Sequence, residues 1–324
     1  MKKKKLLNYK TLNRTMLIVL LIIEIVVFSS LTPYFLKLAN ILSIGREIAT
    51  LGIVAIGQTM CILLGGFDLA AGGIAAFSGM IIGYCASENF LGLPYFASLA
   101  IAILISLLVG LINGFLIAKV KINPFIATMS MNFILGGAVI LVSKNPIIVN
   151  KESFKFLGAT TLGNIKFPLP IIILILFYII FSFILKYTVF GRNIYSTGGN
   201  IEAARIAGLN VEKVMILTYT ISAGLSGFAG IILSSRLATS NPNVGGSYAM
   251  ESIAAAVLGG TALTGGEGNI WGAFLGVLVT GILSNGLVMI GVSQAWRDIA
   301  TGVVLIFAIT IQLFSKKSKI FAQA

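Results

Sequence analysis

The chain has 324 residues, 57% of them apolar and only 10% charged, with a mean hydropathy of +1.02 and a formal net charge of +13. A water-soluble domain carries about a quarter charged residues, so this composition excludes one and calls for an integral membrane protein. The apolar runs are continuous, without the alternation of a transmembrane β-barrel strand; the fold class expected is all-α.

The opening "MKKKKLLNYKTLNR" is basic, and the apolar run behind it outlasts the 7–15 residues of a signal peptide, with no small-residue cleavage site after it. A retained first helix is expected over 16–36. About 20 apolar residues cross a bilayer. That length places further helices over 47–64, 70–87, 95–118, 123–143, 169–187, 213–235, 248–263, 269–290 and 296–314, ten with the first. Two stretches interrupt the pattern, "LLGGFDLAAGG" and "LGGTALTGGEGN". Each reads as a tight turn or as a helix broken within the membrane, the latter tolerated only where protein or water satisfies the freed backbone. Gly65, Gly66, Asp68, Gly259, Gly260, Gly265 and Gly266 mark these interruptions, and the glycines are expected to permit bending or close packing.

Orientation follows from Lys and Arg. With a cytoplasmic N-terminus, ten spans return the C-terminus to the same side, and 15 of the basic residues then lie in the cytoplasm against 8 outside. The positive charge is therefore topology rather than a nucleic-acid footprint. One transmembrane domain covers 1–324, with cytoplasmic segments at 1–15, 191–212 and 315–324.

The stretch "GRNIYSTGGNIEAARIAGLNVEK" at 191–213 is polar, although apolar runs flank it. Asn200 can cap a helix start, Glu202 suits the positive N-terminal end, and Gly208 can end the helix in a left-handed conformation. Two turns are too short to be stable alone in water. Ala203, Ala204, Ala207 and Gly208 give a small-residue surface, so a docking partner is expected.

Chemistry is sparse. No histidine is present, and no phosphate-binding G-x-x-x-x-G-K-[ST] loop, nucleophile elbow or zinc motif occurs. Cys61 and Cys85 lie in apolar stretches and imply no disulfide framework. Glu24 sits mid-span in the first helix, where it is a proton carrier or a packed bundle residue. Asp68, Glu251 and Glu267 fall near helix ends or glycine-rich breaks. This leaves a channel, a secondary transporter, or the membrane part of a machine powered by another chain.

The stretches "GGFDLAAGG", "NPFIATM", "GRNIYSTGGNIEAARIAGLNVEKV", "SSRLATSNPNVGGSYAMESIAAAVLGGTALTGGEGNIWGAFLG" and "ILSNGLVMIGV", in that order, resemble the permease subunits of bacterial ABC sugar importers. These form the ribose/simple-sugar group of the branched-chain amino acid permease superfamily. The resemblance implies a coupling helix at 199–210 (Gly199, Asn200, Glu202, Ala203, Ala204, Arg205, Ala207 and Gly208) seated on an ATPase subunit. It also implies a second permease subunit, an extracytoplasmic sugar-binding protein, and residence in the bacterial inner membrane. ATP and magnesium would be bound by the ATPase, and this chain would hold no cofactor or metal and perform no catalysis. Two positions depart from the family pattern: Ala70 follows Leu69 where a polar residue such as serine is usual, and Leu135 precedes Gly136 where an arginine is frequent. Polar residues within spans that can face a neutral sugar are Gln58, Thr128, Asn132, Ser226 and Asn285, each equally able to hydrogen-bond between helices. A nucleoside or autoinducer-like sugar derivative is the alternative cargo, and an ion-coupled carrier the alternative mechanism.

Overall fold

The computed structural model describes residues 9–297, 299–304, 306 and 310. Residues 1–8 of the basic N-terminus and the tail at 315–324 lie outside the described residues. Helices run over α1 (Tyr9–Leu31), α2 (Leu38–Leu63), α3 (Ala71–Ala86), α4 (Tyr95–Ala118), α5 (Pro124–Val142), α6 (Phe156–Ala159) and α7 (Leu169–Tyr187). They continue with α8 (Val189–Gly199), α9 (Ile201–Ile206), α10 (Val211–Leu237), α11 (Tyr248–Leu258) and α12 (Ile270–Met289). Helical residues follow at 294–297 and 299–304, within the expected last helix. Six of these helices, α2, α4, α5, α7, α10 and α12, are long and apolar enough to cross a membrane.

The remaining differences from the expected boundaries have local causes. Helix α1 stops at Leu31, ahead of Pro33, because the residue before a proline is driven out of the helical region. Helix α2 begins at Leu38, not 47: Arg46 and Glu47 lower the hydropathy of its first turns without breaking the helix. Helix α11 ends at Leu258, five residues early, because Gly260 takes φ +86° and turns the chain.

Helix α10 is the axis of the bundle. It packs antiparallel to α4, with Gly114 against Ile216 and Gly227 against Ser106, and parallel to α3, with Gly230 against Ala75 and Gly79 against Ser234. The fit at Gly230 is backbone to backbone, since a Cβ there would land on the Ala75 carbonyl. Small residues let membrane helices approach this closely, and dispersion contacts then hold them. Helix α2 runs parallel to α7, where the Tyr178 hydroxyl donates to the Gly52 carbonyl at 3.2 Å. It runs antiparallel to α12, where Asn40 donates to Asn285 at 3.1 Å and Ser284 to Glu47 at 3.3 Å. Every residue of α2 from Ile48 to Leu63 is buried. By contrast, α4, α5 and α7 turn Leu104, Phe115, Phe133, Leu141, Leu176 and Phe183 outward. So broad an apolar surface is stable against lipid and not against water.

The connections gather at two ends. At one end, β1 (Ile147–Ile148) pairs antiparallel with β4 (Thr239–Ser240), and the hairpin β2 (Thr161–Leu162) with β3 (Phe167–Pro168) lies in the same long connection. Lys151 reaches Glu88 there at 3.7 Å. The opposite end collects the turns at 64–70, 119–123 and 259–269 together with α8 and α9.

Candidate functional site

The interruption at 64–70 is a compact turn rather than a broken helix, and side chains from three helices hold it. With its amide turned as these two partners require, Gln58, on α2, donates to the Asp68 carbonyl at 3.0 Å and accepts from the Asp68 N–H at 3.3 Å. From α5, Thr128 accepts from the Leu69 N–H at 3.0 Å and Asn132 from the Gly73 N–H at 3.0 Å. From α10, the Tyr219 hydroxyl donates to the Phe67 carbonyl at 3.3 Å, and Ser222 donates to the Asp68 carboxylate at 2.8 Å. The other carboxylate oxygen of Asp68 accepts from the Ala70 N–H at 3.1 Å. A loop buried in a membrane protein has no bulk water to bond, so each of its polar groups needs such a partner. Two of the five polar candidates, Gln58 and Thr128, therefore meet at this loop, and Asn132 holds the first turn of α3 that follows it. The other two lie elsewhere: Asn285 bonds Asn40, and Ser226 is fully buried with no hydrogen bond to its hydroxyl among the described residues.

The second interruption, 259–269, is also a turn. The Thr261 N–H donates to the Ala256 carbonyl at 3.0 Å and the Ala262 N–H to the Glu267 carbonyl at 2.8 Å. Gly260, Gly265 and Gly266 all take positive φ. Helices α11 and α12 then pack antiparallel through Gly259 and Gly272, whose backbones touch.

Between α7 and α10 the chain forms two helices. Helix α8 was not expected, because "GRNIYSTGG" is rich in poor helix formers. Its signal is subtle: Gly191, Ile194 and Thr197 recur every three residues and form its buried face, and the Thr188 hydroxyl caps it by accepting from the Gly191 N–H at 3.2 Å. Asn200 is extended, with φ −160°, and separates α8 from α9. Its side chain accepts from the Ala203 N–H at 2.9 Å, the cap that the sequence suggests. Gly208 closes α9 at φ +81°. Only Ala204 turns inward. Gly199, Glu202, Ala203, Arg205, Ala207 and Gly208 are exposed, and Ile206 is 88% exposed. Arg205 and Lys121 both reach Glu212, at 3.2 and 3.4 Å, which ties α9 to the α4–α5 turn.

The comparisons with known proteins agree with this architecture. The family described as branched-chain amino acid transport system / permease component matches residues 40–309. The chain belongs to this family. As a member, the permease is a membrane transport subunit and not an enzyme. It is 36% identical to the ribose import permease protein of Haemophilus influenzae over 294 residues, 89% of this chain and 90% of that one. With the ribose import permease protein of Bacillus subtilis the identity is 38%, over 90% of both chains. The fructose import permease protein of Rhizobium meliloti is 33% identical, over 84% of the permease and 77% of the relative. No solved structure matches the permease.

Proposed function

We propose that the permease is the membrane-spanning subunit of an ATP-binding-cassette importer for a monosaccharide, with ribose the first candidate. The observation that carries this is the near full-length identity, 36% and 38%, to relatives named ribose import permeases. A fructose and an L-arabinose relative follow at 33% and 30%. We infer ten crossings with both termini in the cytoplasm of an inner-membrane protein. Helix pairing supports this, since α3 runs with α10, α2 runs with α7, and α4 runs against α10, the directions that alternating crossings demand. The end bearing α8 and α9 is then cytoplasmic, where the richer share of Lys and Arg lies.

In this reading α9 docks on the ATPase subunit. A six-residue helix that leaves Ile206 bare is not stable as a free surface element. ATP and magnesium are bound by that partner, and an extracytoplasmic binding protein delivers the sugar to the opposite end. A second permease subunit completes the path. Gln58, Thr128 and Asn132 serve the path indirectly, the first two by holding the 64–70 turn and the third by holding the start of α3.

The test is ATP-dependent uptake of radiolabelled D-ribose, D-fructose and L-arabinose by proteoliposomes holding the permease, its ATPase and its binding protein. Uptake of at least one sugar that an ionophore leaves intact is expected. Uptake by the permease alone, collapsed by ionophore, would replace this reading with an ion-coupled carrier.

A further inference from the structure

The last turn of α8 touches the end of α2 and the 259–269 turn, and it touches them through backbone. A Cβ on Gly198 would land on the Leu63 carbonyl and lie 2.9 Å from the Gly266 nitrogen. The Gly266 N–H itself donates to that Leu63 carbonyl at 2.9 Å. A Cβ on Gly265 would lie 2.7 Å from the Gly198 oxygen and 2.8 Å from the Gly65 nitrogen, and one on Gly266 would lie 2.7 Å from the Gly199 Cα. One turn back on α8, the Tyr195 hydroxyl donates to the Gly268 carbonyl at 3.0 Å. The end of α2, the start of α12 and the end of α8 thus share one joint with almost no side chain in it.

Such a joint has a mechanical property. Side chains absorb small displacements by changing rotamer, whereas backbone packed on backbone has no soft torsion to yield and passes the displacement on. Asn200 and α9 begin directly after Gly199, so a push on α9 reaches this joint through the chain on its N-terminal side, as it reaches α10 through Leu209 and the Arg205–Glu212 pair on the other. We propose that the Gly198–Gly265–Gly266 joint, tied by Tyr195, carries motion from α9 into α2 and α12, and that Tyr195 is a positioning residue for the transport cycle. The proposal rests on α9 as the ATPase-docking element.

The test needs no knowledge of the sugar. Ser284, on α12 beside α2, is partly buried, and both native cysteines are buried. With Ser284→Cys in the full importer, maleimide labelling is timed with and without a non-hydrolysable ATP analogue. The parent is expected to change its labelling rate at least fivefold on adding the nucleotide. Tyr195→Phe, which removes only the hydroxyl, is expected to bring that change below twofold while keeping its ATPase bound and hydrolysing. Gly198→Ala should do the same, and Gly137→Ala, whose Cβ meets nothing within 4 Å, should match the parent. A full nucleotide response in Tyr195→Phe would overturn the proposal. A parent without any response would overturn it too, since the joint would have nothing to carry. An Ile206→Glu variant separates the premise: retained ATPase there would reject α9 docking, while the Tyr195 comparison would still report on the joint.

Discussion

Replacing Gln58 by leucine tests whether the 64–70 turn is held by the side chains around it. Leucine keeps the bulk of the residue and removes both bonds to the Asp68 backbone, at 3.0 and 3.3 Å. Hydrogen bonds between membrane helices average only about 0.6 kcal/mol, because the separated helices find other partners. That figure is the wrong guide here. Asp68 is buried, and its freed N–H and C=O would have no alternative partner; each stranded group costs about 1–3 kcal/mol. The expected loss is therefore about 2–6 kcal/mol, a fall of about 3–9 °C in the melting temperature of the purified permease. Thr128→Val strands one backbone group, the Leu69 N–H, and should lose about half as much. Thermal unfolding followed by intrinsic fluorescence in one detergent reads all three proteins. If Gln58→Leu melts within 1 °C of the parent, the turn is held by something other than these bonds.

Gly230→Ala drives a methyl into the Ala75 carbonyl and should destabilise the fold by about 1–3 kcal/mol, whereas Gly136→Ala, with nothing within 4 Å, should be neutral in the same melt. Asn200→Ala removes the α9 cap, costs about 1 kcal/mol locally, and should weaken co-purification of the ATPase several-fold without lowering the melting temperature of the isolated permease. Glu212→Gln breaks two exposed ion pairs and should shift stability by less than about 1 kcal/mol, an effect that disappears in high salt. Topology can be read with an impermeant maleimide on whole cells: Lys166→Cys should label directly and Ile206→Cys only after permeabilisation, and the reverse pattern would invert the molecule.

Much of the bundle was legible because a bilayer imposes a length and a polarity on every crossing. The expected 95–118 and 169–187 coincide with α4 and α7, where hydropathy is high throughout. Legibility failed where the rule is not about lipid. Helix α8 stays helical despite three glycines because Ile194 and Thr197 are buried under the bundle, a tertiary gain that no local propensity records. Both interruptions could be located from their glycines, yet whether each was a turn or a broken span depended on helix directions, which only packing decides. Gln58, Thr128 and Asn132 stood out as polar residues in apolar spans. Their common purpose was invisible because their partners are backbone groups of the 64–70 loop and the α3 start behind it, about ten residues away along the chain in one case and nearly sixty in the others.

The helix starts differ between the two ends of the bundle. At the end carrying α9, the helices α5, α8, α9, α10 and α12 each begin with an Asn or Thr side chain that closes on its own first turn. At the opposite end α2, α4 and α7 begin at Lys37, Pro94 and Pro168 with no such side-chain bond. Free N–H groups at a helix start must find an acceptor outside the helix. Helix α3, which starts at the same end from Ala70, has no cap of its own, and Asp68 and Asn132 accept from its Ala70 and Gly73 N–H groups instead, so the first end is finished within the chain. At the second end the Leu169 N–H of α7 is taken by the Thr160 carbonyl at 3.0 Å, and the starts of α2 and α4 rely on what surrounds them. The end that carries α9 is therefore capped by the chain's own side chains, and the opposite end leaves part of that task to its surroundings.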